Sequence, residues 1–223
     1  PPARRIDREE FLARGLDAQQ QIFASNPDDR RAFEALEEHF FLEGDWAALA
    51  RVYRDRIAAP SIEADPAQKA ALLLRLGQIL EERILDLDGA CDVYWRLARL
   101  DPTHRPALRQ LRGIHGRRAR WEMVLQIAEL EGATAMPPYE RAQFEADLGR
   151  IWARQLGDRS EAERAYQRAL AQDADFPPAL EGLAELCLEA GRLEEAARLL
   201  ERLTLRLRGP ERAPFWLALG RLQ

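Results

Sequence analysis

The chain repeats itself at an interval of 72 residues. Leu76-Gly77 recurs as Leu148-Gly149, Pro66 as Pro138, Asp86 as Asp158, Ala90 as Ala162, and Tyr94 as Tyr166. The correspondence continues from Pro106-Ala107-Leu108 to Pro178-Ala179-Leu180, and from Leu111 to Leu183. Earlier the offset is 75, with Leu36 answering Leu111 and Trp46 answering Trp121; the three extra residues fit in the linker around Pro60-Ser61. Later it is 71, Leu219-Gly220 following Leu148-Gly149. Such self-similarity means one supersecondary unit copied and stacked, because a single copy cannot bury its apolar face alone.

Each interval holds two sub-repeats of roughly 34 to 38 residues, and each sub-repeat reads as two amphipathic helices. Leu180, Leu183, Leu186 and Cys187 form one stripe, Gly191 breaks the helix, and Leu193, Ala196, Ala197, Leu200 and Leu203 form the next. Ser160 with Glu163 has capping-box spacing and predicts a helix over 160–172. Asn26-Pro27, Asp65-Pro66 and Asp101-Pro102 punctuate the hairpins, since Pro opens a helix but does not continue one. Linkers near 58–66, 132–138 and 208–212 divide the array into four-helix units. The spacing predicts hairpins at 27–60, 66–101, 102–132, 138–173 and 177–207. Residues 1–26 read as the second helix of a truncated preceding repeat, and 210–223 as the first helix of a truncated following one. An apolar end at Trp216, Leu217 and Leu219, together with Pro1 in place of Met, leads us to expect a fragment of a longer protein.

These residues resemble the tetratricopeptide repeat, whose pattern is W-x₂-L-G-x₂-Y in the first helix, A-x₃-F in the second, then P. Trp216-x₂-Leu219-Gly220 fits the opening literally, and Leu73, Leu76, Gly77 and Leu80 fit it with apolar substitutes, as do Phe33, Leu36 and Phe40. Ala90-x₃-Tyr94 and Ala162-x₃-Tyr166 match the second helix, and Ala196-x₃-Leu200 nearly so. The resemblance covers roughly residues 27 to 223. It implies an all-α solenoid of about five repeats with partial repeats at both ends, wound as a right-handed superhelix. It also implies that the first helices of the hairpins line a concave binding surface.

Composition narrows the function. No apolar run approaches the roughly 18 residues of a membrane helix. Cys91 and Cys187 lie 96 residues apart, which excludes a disulfide framework or a cysteine zinc module; both read as small core residues. The three histidines, His39, His104 and His115, share no metal-ligand spacing, and phosphate-loop, dinucleotide, nucleophile-elbow and zincin motifs are absent. No catalytic residue, metal or cofactor is expected, and the abundant carboxylates read as solvated helix faces. Lys69 is the only lysine among 33 basic residues, which we read as codon bias in a GC-rich bacterial genome. Unpaired cysteines and the lack of a visible signal lean towards the cytoplasm, with a periplasmic assembly the alternative.

One stretch departs from the pattern. Between Pro102 and Trp121 stand Arg105, Arg109, Arg112, Arg117, Arg118 and Arg120 with no acidic residue. Arg112 takes the slot of Gly77 and Gly149, and His115 the slot of Leu80 and Trp152. Places that break a local rule are candidates for function. Arg109 and Arg117 on one first helix, and Arg150 and Arg154 beside Asp147 on the next, are expected to form a basic stripe, with Gln78, Glu81 and Glu34 on neighbouring first helices. Such a stripe suits an acidic protein or peptide segment through bidentate guanidinium contacts. Trp46 and Trp121, in equivalent slots, read as packing between hairpins. The expected function is a non-catalytic protein-interaction scaffold. The alternatives are a regulatory or docking arm of a larger enzyme and nucleic-acid binding through 105–120, the latter disfavoured by the net charge of −5.

Overall fold

The computed structural model describes residues 8–206 together with Phe215 and Gly220, and only the backbone of 8–14. The helix expected over 210–223, with Trp216, Leu217 and Leu219, therefore lies outside the described residues but for Phe215 and Gly220. Every regular element described is helical. The order is α1 (Arg8–Ser25), α2 (Arg30–Glu43), α3 (Trp46–Ile57), α4 (Pro60–Glu63), α5 (Pro66–Gln78), α6 (Leu87–Leu100), α7 (Arg105–Arg117), α8 (Trp121–Gly132), α9 (Pro138–Ile151), α10 (Arg159–Gln172), α11 (Pro177–Glu189) and α12 (Leu193–Arg206). Helices α2 and α3, α5 and α6, α9 and α10, and α11 and α12 pack as hairpins, and contacts of α3 with α5, α6 with α7 and α10 with α11 stack them. The helices gather into two compact units, 1–131 and 132–223. The core of the first runs from Phe23 through Leu36, Leu76, Tyr94 and Leu111 to Ile127. That of the second joins Ala146, Tyr166, Leu180, Leu183 and Leu200.

The helix starts are fixed by side-chain caps. The carboxylates of Asp29, Asp45, Asp65, Asp86 and Asp158 accept backbone N–H bonds three residues on, at 2.8 to 3.0 Å. Each satisfies an otherwise orphaned donor, an effect of about 1 kcal/mol. Helix α10 corrects the capping-box expectation: Asp158 rather than Ser160 is the cap, and Arg159 is already helical. An aspartate two residues earlier supplies a charged acceptor to the same first turn, so the helix begins there. The turns between hairpins also recur. Asn26, Asp101 and Asp173 each accept the backbone N–H of the residue two further on, at 3.2, 2.9 and 3.1 Å.

The 72-residue interval has a packing basis. Gly149 lies so close to the Tyr166 ring that a Cβ there would sit 2.7 Å from Cδ1. Gly77 lies against Tyr94 in the same way. The absent side chain lets the large ring of the second helix lie on the backbone of the first. Past each glycine the helix loosens to π geometry, over Ile79–Ile84 and Trp152–Leu156. Each π segment ends on a left-handed residue, Leu85 at φ 62° and Gly157 at φ 71°. The next N–H then bonds back to the carbonyl of Leu80 or Trp152, at 2.8 and 3.0 Å.

Leu85 thus holds a conformation that its counterpart holds without strain. A left-handed L-residue costs roughly 1–2 kcal/mol, and glycine returns part of that as chain entropy. Leu85 is 73% exposed, so its removal sacrifices little burial. Leu85→Gly is expected to stabilise the protein by about 0.5–1 kcal/mol, read as a higher urea midpoint at unchanged slope; a lower midpoint would contradict the strain assignment.

Candidate functional site

Three second helices place a tyrosine against the first helix of their own hairpin. In α3 the Tyr53 hydroxyl donates to the Glu37 carboxylate, with the Arg75 guanidinium also acting on the phenol. In α6 the Tyr94 hydroxyl donates to Glu81 Oε2 at 3.1 Å, while Arg117 Nη2 holds Glu81 Oε1 at 2.5 Å. Burial, reinforced by the neighbouring carboxylate, pushes both phenols far above their ordinary range. In α10 Tyr166 is equally buried, at 4% exposure, but its hydroxyl has no hydrogen-bond partner among the described residues. The position that answers Glu81 at the 72-residue offset is Ala153.

Tyr166 forms the floor of a cavity of about 220 Å³ between α9 and α11. Ala146 and Gly182 keep that floor open, and Pro178 stands at one wall. The α9 wall carries Asp147 and Arg150, with Arg154 in the π segment beyond; the α11 wall carries Glu181 and Glu185. Arg150 Nη2 binds Asp147 Oδ1 at 2.6 Å, and Arg154 Nη2 reaches across to Glu185 Oε2 at 3.1 Å. Both arginines are exposed, so these pairs are weak and rearrange readily. Glu181 has no such partner among the described residues. Desolvation by the cavity wall, then the like charge of Glu185, raises its carboxyl above the usual range, with Arg154 opposing.

The residues singled out in the sequence fall as follows. Arg109 and Arg117 belong to the first unit, Arg150 and Arg154 to the second. Arg109 is exposed on α7 and makes no ion pair among the described residues. Arg117 and Glu81 are bound to one another, and Glu81 is buried. Gln78 lies beside Phe41, Trp46 and Arg83 in a small cleft of about 50 Å³. Glu34 is exposed on α2 and accepts from Arg30 at 2.6 Å. Tyr166, Glu181 and Glu185 were not singled out. For Glu181 the signal was the offset itself: it answers Arg109 with charge reversed, as Asp147 answers Arg75 and Arg154 answers Glu82.

The arginine-rich stretch is largely absorbed by the fold. Arg112 binds the buried Glu131 at 2.7 Å, and Arg118 binds Asp88 at 2.6 Å. Counted from the start of its helix, Ala128 in α8 takes the place that Tyr94 and Tyr166 hold in theirs. At the slots of the Gly–Tyr pair this hairpin has Arg112 and Ala128. His115, 5% exposed, has neither ring nitrogen hydrogen-bonded among the described residues. Burial, then Arg120 and Arg118, depress its pKa below the ordinary 6.5. The unfolded chain therefore binds this proton more readily. The His115 contribution is complete above about pH 6.5 and is progressively lost as the pH falls below it, at no more than about 1.4 kcal/mol per unit. His115→Leu should flatten the stability difference between pH 7.5 and 5.5 in urea unfolding; an unchanged difference would show that the imidazole is solvated.

Both thiols are buried. Desolvation pushes Cys187 up to about 11, the opposite of a reactive thiolate. Among the described residues no group of three His, Cys, Asp or Glu is placed to hold a metal ion, and no helix is long and apolar enough to cross a membrane.

Comparisons with known proteins agree with this geometry. A family model described as tetratricopeptide repeat matches residues 153–222. The "Cellulose synthase operon protein C" of Xanthomonas axonopodis pv. citri is 40% identical over 94 residues, which are 42% of this chain and 6% of that protein. Among solved structures, MamA from Desulfovibrio magneticus superposes with a TM-score of 0.57 at 17% identity, covering 88% of this chain and 97% of that one. A tetratricopeptide repeat protein from Parabacteroides merdae gives 0.59 at 19% identity, covering 85% and 74%. At such identities the structures speak for the fold alone. With the glycine–tyrosine packing repeated at its interval and the stacked hairpins around it, this chain has the fold of a tetratricopeptide-repeat α-solenoid, and its residues 153–222 match that family's model.

Proposed function

We propose that the chain is a non-catalytic scaffold that binds a protein or peptide segment along the faces made by its first helices. The observation that carries this reading is the open cavity between α9 and α11, walled by five charged side chains and floored by a buried tyrosine. In this reading five hairpins, 27–60, 66–101, 102–132, 138–173 and 177–207, supply the surface. On the first unit the exposed Arg109 suits an acidic residue of the partner, through a charge-assisted bond. Buried, unpaired thiols suit a reducing compartment, so we place the protein in the cytoplasm.

The test is affinity capture from the source organism's lysate, with nuclease, read by mass spectrometry. The control is the Arg109→Glu/Glu181→Lys variant, which reverses one exposed charge on each unit. Arg117 is left intact, because reversing it would strand the buried Glu81. A nuclease-resistant protein partner lost in the variant supports the reading; a partner retained by the variant moves the site elsewhere.

A second reading, a docking arm of a larger enzyme, draws on the 94-residue match within a far longer protein. That relative's name ties it to a cellulose synthase operon, and components of such an assembly are partners the capture would detect. The reading frame that encodes the whole protein decides this point: a catalytic domain in the same chain supports it, and repeats alone refute it.

A further inference from the structure

The charges around the second unit's cavity do not sum to a basic site. Two arginines stand against Asp147, Glu181 and Glu185, and both arginines already have carboxylate partners. An incoming anion would have to displace one of those pairs and would meet the unpaired Glu181. An incoming cation finds Glu181 without a salt-bridge partner among the described residues and need only share Glu185 with Arg154. We propose that the cavity between α9 and α11 receives a lysine or arginine side chain of the bound segment, its charged end against Glu181 and Glu185 and the Tyr166 hydroxyl.

Three features support this. The cavity, at about 220 Å³, is smaller than the ~300 Å³ at which small-molecule sites begin, and suits a single long side chain. Its walls give the stem of such a side chain Pro178 and the Tyr166 ring to lie against. Its floor is the buried Tyr166, whose hydroxyl makes no hydrogen bond among the described residues. Tyr94 in the first unit shows what such a hydroxyl does when partners are present: it joins a carboxylate that also holds a guanidinium. In the second unit Glu181 and Glu185 supply the carboxylates, and the bound segment supplies the cation.

The proposal rests on the peptide-binding reading and is tested separately from it. Random 12-residue peptides displayed on phage are selected against the whole chain at low salt. The expected result is enrichment of a basic residue. Binding of the selected peptides should fall about tenfold with Glu181→Gln and further with Glu181→Gln/Glu185→Gln. It should be unaffected by Glu34→Gln and abolished by acetylating the peptide lysine. Thermal melts of the glutamine variants, expected to match the parent, separate lost binding from lost fold. Selected peptides that are acidic, or that ignore Glu181→Gln, would overturn the basic-residue proposal and leave the scaffold reading standing. Failure to select any peptide would count against both.

Discussion

Arg112→Met is expected to destabilise the protein by about 1.5–3 kcal/mol, the cost of removing a charge-assisted hydrogen bond from a buried carboxylate. Glu131 has a side chain only 2% exposed, and the Arg112 Nε bond to it is 2.7 Å long. Removing both charges, as Arg112→Met/Glu131→Leu, should recover most of the loss, since an apolar pair of similar volume does without the desolvation of two ions. Urea unfolding of the two single variants and the double variant gives the coupling directly. A cost below about 1 kcal/mol for Arg112→Met would mean that the pair is solvent-screened and contradict the burial of this bond.

Gly182→Ala is expected to cost about 1–3 kcal/mol, although alanine is the better helix former by about 1 kcal/mol. Its Cβ would press into the Tyr166 ring, coming within 2.6 Å of Cε1 and closer still to Cζ. Tyr166 cannot retreat, because Gly149 holds its other side, with 2.7 Å available to a Cβ there. The same substitution at Gly113, which meets nothing within 4 Å, should stabilise by about 1 kcal/mol. Opposite signs for one chemical change in two helix interiors would establish that ring contact, not helix propensity, keeps glycine at 182. Equal signs would contradict it. Gly182→Ala should also narrow the cavity and weaken peptide binding beyond its effect on stability.

Much of this architecture was legible in the sequence because it repeats. The offset that aligns Gly77 with Gly149 and Tyr94 with Tyr166 marks a contact between helices, and a contact that recurs leaves a recurring signature. The arginine-rich stretch was harder to read. A charge run looks the same whether its members face solvent or a buried carboxylate, and nothing near Arg112 in sequence points to Glu131, 19 residues away. Arg117 likewise finds Glu81 across 36 residues. The second unit's cavity was half visible. Arg150 and Arg154 stood out as cations on a first helix. The carboxylates facing them lie on α11, where Glu181 and Glu185 read like any solvated helix face. Setting the two units against each other position by position exposes the charge reversal at Glu181. The hydroxyl of Tyr166 becomes informative only beside Tyr53 and Tyr94, whose own hydroxyls are bonded.

The central claim is that partners bind the face made by the first helices of the hairpins. The most direct measurement is amide hydrogen exchange of the whole chain with and without the captured partner. The account predicts added protection in α9 and α11, around Asp147–Arg154 and Glu181–Glu185, with α10 and α12 unchanged. Protection confined to α10 and α12, with α9 and α11 exchanging as before, would contradict it.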